Sequence, residues 1–273
     1  MELGISLRTY GSAATPELLT ACARRAEASS LDHIWTADHI AIPPEESQGS
    51  GGRYMDPLAT VPYLAAKTES IGIGISALVL PHRQPLPLAR WIATIQELSG
   101  GRFLLGVGVG AMAAEFRANG VPFERRGKIA NETLELIRKC FTSDHVELNA
   151  QTFIFAPRPA CPPIYVGGIG SHTIRRIVRF GDGWIAPRSD PGELRGSITA
   201  LQEAMSAAGR ERARVLCLAA LTLDDPPQAL ERVAALREIG VDGIVYLGRF
   251  ETENEFAAQL EKLATHIKPA VES

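Results

Sequence analysis

The stretch PIYVGGIGSHT, residues 163–173, contains the transition on which the fold assignment depends. The apolar run Pro163–Val166 is typical of a short buried strand, and it is followed by glycines and then by Ser171 and Thr173. A strand that ends in glycines directly before a helix can present backbone N–H groups to a phosphate. The same pattern also makes an ordinary tight turn between a strand and a helix. The rest of the chain has to decide between these two interpretations.

Short apolar runs alternate with helical patterns along the whole chain. The predicted strands are Glu2–Leu7, His33–Asp38, Ile71–Leu80, Phe103–Val109, Ile164–Val166, Gly183–Ala186, Val215–Leu223 and Gly243–Leu247. The helices predicted after them are Pro16–Ser29, Pro57–Lys67, Pro87–Leu98, Ala111–Phe141 with a break near Gly120, Ser171–Phe180, Pro191–Ala208, Pro226–Ile239 and Glu253–Ile267. Eight such units close a (β/α)8 barrel, whereas a doubly wound sheet rarely needs eight. We therefore predict an α/β fold, a TIM barrel formed by a single domain over residues 1–273.

The alternation is interrupted after strand four. Residues Val146–Phe155 have the pattern of a small hairpin, and the segment Pro157–Pro163 holds four prolines. We predict an insertion at this point of the barrel. The glycine-rich segments that end strands four and five then lie at the C-terminal face of the barrel, where active sites of this fold are built.

Composition excludes several classes of protein. The 273 residues are 45% hydrophobic and 22% charged with a net charge of −3, which predicts a large buried core and argues against a nucleic-acid surface. Apolar runs such as Ile71–Leu80 are too short to span a bilayer, and the strand Glu2–Leu7 leaves no room for a signal peptide. The four cysteines form no CxxC pair, so we expect reduced thiols and a cytoplasmic location.

The segment LDHIWTADHI, residues 31–40, ends strand two with Asp38 and His39. An acid beside an imidazole at the reactive rim suits proton transfer, or bonding to the polar edge of a cofactor ring. Alternatively, Asp38 caps the next segment and His39 is an ordinary loop residue. No HxH or HExxH pair is present, so we predict no metal site.

Nucleophilic catalysis finds little support in the sequence. The sequence has no GxSxG motif, and none of its five lysines follows a predicted strand end. A Schiff-base mechanism is therefore disfavoured, and an imported cofactor is expected to supply the reactive atom. After strand three, His82 and Arg83 either reach an anion at the rim or are solvated loop side chains. Within that strand, the small residues Ser76 and Ala77 would let a flat group lie against the backbone.

Together these segments resemble the bacterial-luciferase-like superfamily and, within it, the coenzyme F420-dependent oxidoreductases. The resemblance extends over nearly the whole chain and is carried by IWTADHI (34–40), IGIGISALVLPHRQP (71–85), LARWIATIQELSGGRFLLGVGVG (88–110), PPIYVGGIG (162–170) and FGDGWIAP (180–187). The block LSGGR…LGVGVG followed at a distance by GDGW is the most specific part. The family fold is a (β/α)8 barrel with an insertion, as the alternation predicts.

The resemblance implies a flavin or deazaflavin ring at the C-terminal mouth of the barrel. The loops after strands four and five would hold its phosphate through Gly108, Val109, Gly110, Gly167, Gly168, Ile169, Gly170 and Ser171. Asp38 and His39 match the acid–histidine pair that contacts the ring system near the substrate in relatives. Ser76 and Ala77 match, to within one residue, a non-prolyl cis peptide that lies against the ring.

One position departs from the family pattern. Sugar-phosphate dehydrogenases of this branch have an acid directly after the strand-four glycines, and here that position is Ala111. Glu115 is the nearest acid, about one helical turn further on. We therefore expect the substrate to be handled differently from the substrate of those relatives.

The resemblance implies hydride transfer between coenzyme F420 and a small organic substrate, with His39 as proton donor or acceptor. The alternatives are an FMN-dependent luciferase-like monooxygenase on the same scaffold and a non-catalytic flavin-binding barrel. A sugar-phosphate isomerase is a more distant alternative. It needs a glutamate or lysine base at a strand end, and none follows a predicted strand here. Relatives commonly form homodimers, and the apolar face of the helix Pro57–Ala66 would suit such a contact.

Overall fold

The computed structural model describes residues 1–272 and contains a closed barrel of parallel strands. The strands are β1 (Glu2–Ser6), β2 (His33–Thr36), β3 (Gly72–Val79), β4 (Phe103–Gly108), β5 (His145–Leu148), β6 (Gln151–Ile154), β7 (Ile164–Gly167), β8 (Gly183–Ala186), β9 (Arg214–Ala219) and β10 (Gly243–Tyr246). The barrel order is β1-β2-β3-β4-β7-β8-β9-β10, and β10 pairs with β1 to close it. The predicted (β/α)8 fold class is confirmed.

Helices connect the barrel strands on the outside. They are α1 (Pro16–Ala28), α2 (Pro57–Ala65), α3 (Pro85–Leu98), α4 (Ala113–Ala118), α5 (Arg126–Thr142), α6 (Ser171–Phe180), α7 (Pro191–Ala207), α8 (Pro226–Glu238), α9 (Glu253–Lys262) and α10 (Lys268–Glu272). Side-chain caps explain several of their starts, because Thr15, Asp56 and Asp190 each accept a bond from a first-turn N–H group. Across residues 1–272, no helix is both long and apolar enough to span a membrane.

The hairpin predicted after strand four is present. Strands β5 and β6 pair antiparallel to each other, with His145 opposite Ile154, and form a separate two-stranded sheet. In the chain this hairpin lies between α5 and the proline-rich segment that leads to β7. Because β4 and β7 are direct neighbours in the barrel, the loops that follow these two strands lie side by side at the mouth.

The barrel interior is filled around Trp35. Its ring meets Tyr165 edge to face, with 6.2 Å between ring centroids. The side chains packed with these two rings are Ile185, Leu216 and Val245. Gly74 makes room for the indole, because a Cβ added there would lie 2.3 Å from it. Gly106 allows close approach of the neighbouring strand, because a Cβ there would lie 2.1 Å from the carbonyl oxygen of Ile75. The interior around Trp35 is therefore a packed core.

Two of the predicted strands end at least two residues earlier in the structure. Strand β2 ends at Thr36 instead of Asp38, and β9 ends at Ala219 instead of Leu223. In the first case the chain leaves the sheet so that the carboxylate of Asp38 can bond to the N–H group of Val79. The residues after β2 thus belong to the mouth of the barrel.

Candidate active site

A buried carboxylate organises one side of the mouth. Glu115 lies on α4, is 2% exposed, and accepts hydrogen bonds at Oε1 from the N–H groups of Ile40 (2.8 Å) and Ala41 (3.1 Å). Its Oε2 lies 3.1 Å from Nδ1 of His39. The side chain of His39 is 34% exposed, so one edge of the imidazole is held by the protein and the other edge remains accessible.

The surroundings of Glu115 fix its charge. Burial alone would raise the pKa of this carboxyl, but the N–H groups of Ile40 and Ala41 and the nearby His39 outweigh burial and lower the pKa. Glu115 is therefore ionised at neutral pH and accepts a hydrogen bond from the N–H group at Nδ1 of His39. In the neutral imidazole this leaves the lone pair on Nε2, which is the atom able to exchange a proton with a bound molecule.

Asp38 lies beside His39 in the chain but has different partners. Its side chain is fully buried, and its two oxygens accept bonds from Arg83 at 2.7 and 2.8 Å. The N–H group of Val79 donates to the same carboxylate at 2.7 Å, and Arg83 also reaches Asp56 at 3.0 Å. This bidentate pair ties the loop after β2 to the end of β3. In the structure Asp38 thus positions the mouth, while His39 is the member of the pair that faces outward.

The two residues after β3 are not solvated loop side chains. His82 is buried, with 1% of its side chain exposed, and the side chain of Arg83 is 12% exposed. The solvent-exposed alternative considered for them is wrong, because both side chains are turned inward against Glu115 and Asp38. Both terminal nitrogens of the Arg83 guanidinium donate to carboxylates of the protein itself, those of Asp38 and Asp56.

Three of the predicted cofactor-binding residues meet at the mouth. The Ser76–Ala77 peptide is cis, at the position that the resemblance implied. A Cβ added at Gly108 would lie 3.5 Å from Cβ of Ala77, and one added at Gly167 would lie 3.4 Å from the same atom. At Gly108 this is an ordinary contact distance and φ is not positive, so the fold would accept a side chain there. At Gly167 a Cβ would also lie 3.3 Å from the carbonyl oxygen of Val107, which is a tight contact. The two glycines leave the surface over Ala77 uncovered.

The loop after β7 presents uncapped backbone N–H groups. Gly168 and Gly170 have φ angles of +120° and +80°, which favour glycine, and Gly170 provides no side-chain cap for α6. The indole of Trp184 donates to the carbonyl oxygen of Gly168 at 2.8 Å and holds the turn in place. Ser171 begins the helix, so its N–H group and that of the next residue point out of the first turn. This is a suitable environment for a phosphate.

The loop after β4, Gly108–Gly110, links the loop after β7 to Glu115 and Asp38. We call these two loops, together with Ala77, the cradle. Gly110 has a φ of +76°, and a Cβ there would lie 2.7 Å from the ring of Phe116 and 2.8 Å from Val79. Phe116 directly follows Glu115, and Val79 donates to Asp38. The structure therefore brings the predicted residues Gly108–Gly110, Gly167–Ser171 and Ala77 to one side of the group formed by His39 and its partners.

Sequence reasoning missed the aromatic side chains beside His39. Tyr54 lies 4.9 Å from the imidazole between ring centroids, and it stacks on Tyr10 at 5.3 Å. Both tyrosines line a cavity of about 810 Å³ together with Arg8 and Arg249. These residues come from loops, where no periodic pattern marks them, and their proximity arises only when the barrel closes. The contact of Glu115, on α4, with His39 was missed because it also forms only when the barrel closes.

Comparison with known proteins places the chain in a family. Residues 1–271 match the model of the luciferase-like monooxygenase family, and the chain belongs to this family of oxidoreductases. A relative from Kineococcus radiotolerans, described as an F420-dependent glucose-6-phosphate dehydrogenase, is 31% identical over 79% of this chain and 67% of the relative. The predicted resemblance to the luciferase-like superfamily and its F420-dependent branch is confirmed.

Two solved structures share the fold. An F420-dependent secondary alcohol dehydrogenase in complex with an F420–acetone adduct superposes with a TM-score of 0.81 at 17% identity, covering 100% of this chain and 99% of the other. The oxygenating constituent of 3,6-diketocamphane monooxygenase from Pseudomonas putida, in complex with FMN, gives a TM-score of 0.80 at 17% identity, covering 98% of both chains. The barrel architecture is thus shared by proteins that hold either cofactor.

The buried pair between Asp38 and Arg83 predicts a large effect on stability. Asp38→Asn should lower the free energy of unfolding by about 3 kcal/mol, because it leaves the guanidinium buried without its bidentate partner. Glu238→Gln, which breaks the exposed pair of Glu238 with Arg195, is the control and should cost less than about 1 kcal/mol. Denaturant titration measures both. Equal effects of the two changes would contradict the positioning role of Asp38.

Proposed function

We propose that the protein transfers a hydride between coenzyme F420 and a small organic substrate, with His39 exchanging the accompanying proton. The observation that carries this proposal is the bond between the buried carboxylate of Glu115 and the partly exposed imidazole of His39 at the open end of the barrel. A base held in one tautomer by a buried anion is suited to general acid–base catalysis near neutral pH.

The cradle supports a phosphate-bearing flat cofactor. The loops Gly108–Gly110 and Gly167–Ser171 would hold the phosphate, and the surface over Ala77 would support the ring. The deazaflavin, when bound, supplies the carbon that accepts or donates the hydride. F420 is the proposed cofactor because the relative that is 31% identical is described as F420-dependent. FMN is the alternative, since a neighbour in fold holds FMN.

The protein's own residues handle the proton and the geometry. For an alcohol substrate, the carbon-bound hydrogen leaves as hydride with the electron pair, and the hydroxyl proton passes to Nε2 of His39. Glu115 holds Nδ1 and stabilises the imidazolium that forms. Asp38 and Arg83 fix the end of β3, and thereby the Ala77 surface, relative to His39. Tyr10 and Tyr54 line the space beside the imidazole where a small substrate would lie.

Removal of the imidazole tests its role in catalysis. His39→Ala should slow hydride transfer by about 10²–10⁴-fold, the usual size of a general acid–base contribution, while F420 binding remains measurable. His145→Ala, on the exposed hairpin strand β5, is the control and should be unchanged. The rates are measured as the change of deazaflavin absorbance with time, using a panel of alcohols, imines and activated alkenes as substrates. A turnover of His39→Ala equal to that of the wild type would remove the assignment.

A side chain in the cradle should block the cofactor without unfolding the barrel. Gly108→Val fills the surface over Ala77, so F420 affinity should fall at least about tenfold while the melting temperature changes by only about 3 °C. Gly196→Ala, in an open position on α7, is the control for a glycine substitution. Spectroscopic titration with F420 and, separately, with FMN gives both affinities. Tighter binding of FMN than of F420 to the wild type would favour the monooxygenase alternative instead.

A further inference from the structure

His82 is a buried imidazole that the proposed mechanism does not use. It ends the turn Leu80–His82 after β3, and only 1% of its side chain is exposed. Its ring packs against Phe116 with 4.6 Å between centroids. Within residues 1–272, neither Nδ1 nor Nε2 of His82 has a hydrogen-bond partner. A neutral imidazole always carries one N–H group, and burying that donor without an acceptor is unfavourable.

Among the ionisable side chains around His82, one offers a suitable acceptor. The ionisable groups that influence it are Glu115, Asp38, Arg83 and His39. The carboxylate of Asp38 is already bound by Arg83 and by the N–H group of Val79. Oε2 of Glu115, in contrast, lies 4.0 Å from Nε2 of His82, and among residues 1–272 it accepts a hydrogen bond only from His39. A movement of about 1 Å would bring this pair to hydrogen-bond distance.

We propose that His82 is a positioning residue: its Nε2–H group closes onto Oε2 of Glu115 and fixes the carboxylate that orients His39. The inference rests on the proposed function, because it gives His82 a part in the proton transfer by His39. Hydrogen bonds of catalytic groups are often long in structures without ligand and shorten in the complex. The tilted contact with Phe116, the neighbour of Glu115 in the chain, keeps the imidazole beside the carboxylate while the gap closes.

The charge state of His82 suits a donor that does not take up the catalytic proton. Burial lowers the pKa of His82, and the charges of Arg83 and His39 lower it further. The carboxylates of Glu115 and Asp38 raise it, but by less. The net lowering keeps the imidazole neutral at neutral pH. His82 and His39 then share one oxygen of Glu115. Each donor makes that oxygen less basic, so a hydrogen bond from His82 weakens the hold of Glu115 on the imidazolium of His39.

The tautomer of His82 tests whether the proposed donor is present. ¹⁵N-histidine NMR of the full chain, without cofactor and with F420 added, reports which ring nitrogen carries the proton. We expect His82 to be neutral at pH 7 with its proton on Nε2 in both samples. A proton on Nδ1, or a doubly protonated ring at pH 7, would overturn the proposal. This readout needs no activity and no variant.

Two variants separate the bond from the packing. His82→Phe keeps a ring on Phe116 but removes the donor, and it should move the acidic limb of the pH profile of kcat/KM to higher pH by about half a unit. His82→Gln retains an N–H donor and should bring the limb most of the way back to its wild-type position. KM should change little in either variant. An acidic limb at the same pH in the wild type and in both variants contradicts the proposal.

Failure of this inference and failure of the proposed function give different results. If the chain transfers no hydride to or from F420 while the tautomer of His82 is as expected, the inference about His82 stands and the proposed function is wrong. If hydride transfer occurs and His82 carries its proton on Nδ1, the proposed function stands and His82 is a core residue only. Should His82→Phe not fold, the wild-type tautomer and His82→Gln still decide.

Discussion

The mouth of the barrel depends on the hydrogen bonds that the buried carboxylate of Glu115 accepts. It joins α4 to the loop after β2 through the N–H groups of Ile40 and Ala41, and it holds His39 with its other oxygen. A buried anion with this many donors has to be satisfied, so the loop and the imidazole can adopt few other arrangements. The same contacts that stabilise the loop therefore orient the proposed proton carrier.

A second buried carboxylate acts beside the first. Asp38 binds Arg83 and Val79 and fixes the end of β3, which carries Ala77. The closed barrel then sets the remaining geometry, because β3, β4 and β7 are neighbours and their glycine-bearing ends meet. The acid–base group and the cradle are thus built from adjacent strands, and each is held by side chains that leave the imidazole and the glycine surface open to a ligand.

The sequence predicted the fold closely because the barrel depends on local patterns. Strand and helix alternate with clear periodicity, and the bounds of Ser171–Phe180 and Gly183–Ala186 agree with the structure to the residue. Side-chain partners were harder to predict, because Glu115 and His39 are 76 positions apart and meet only when the barrel closes. The position of Ala111 suggested a missing acid, yet the turn of α4 brings the carboxylate of Glu115 to the same mouth. Loop residues such as Tyr54 carry no periodic signal at all.

The most direct test of the account is a crystal structure of the full chain with F420 bound. It should show the phosphate on the N–H groups of the loop Gly167–Ser171 and the ring over Ala77, with Nε2 of His39 facing the reactive side of the ring. A ring bound elsewhere, with the loops after β4 and β7 free of phosphate, would contradict the account.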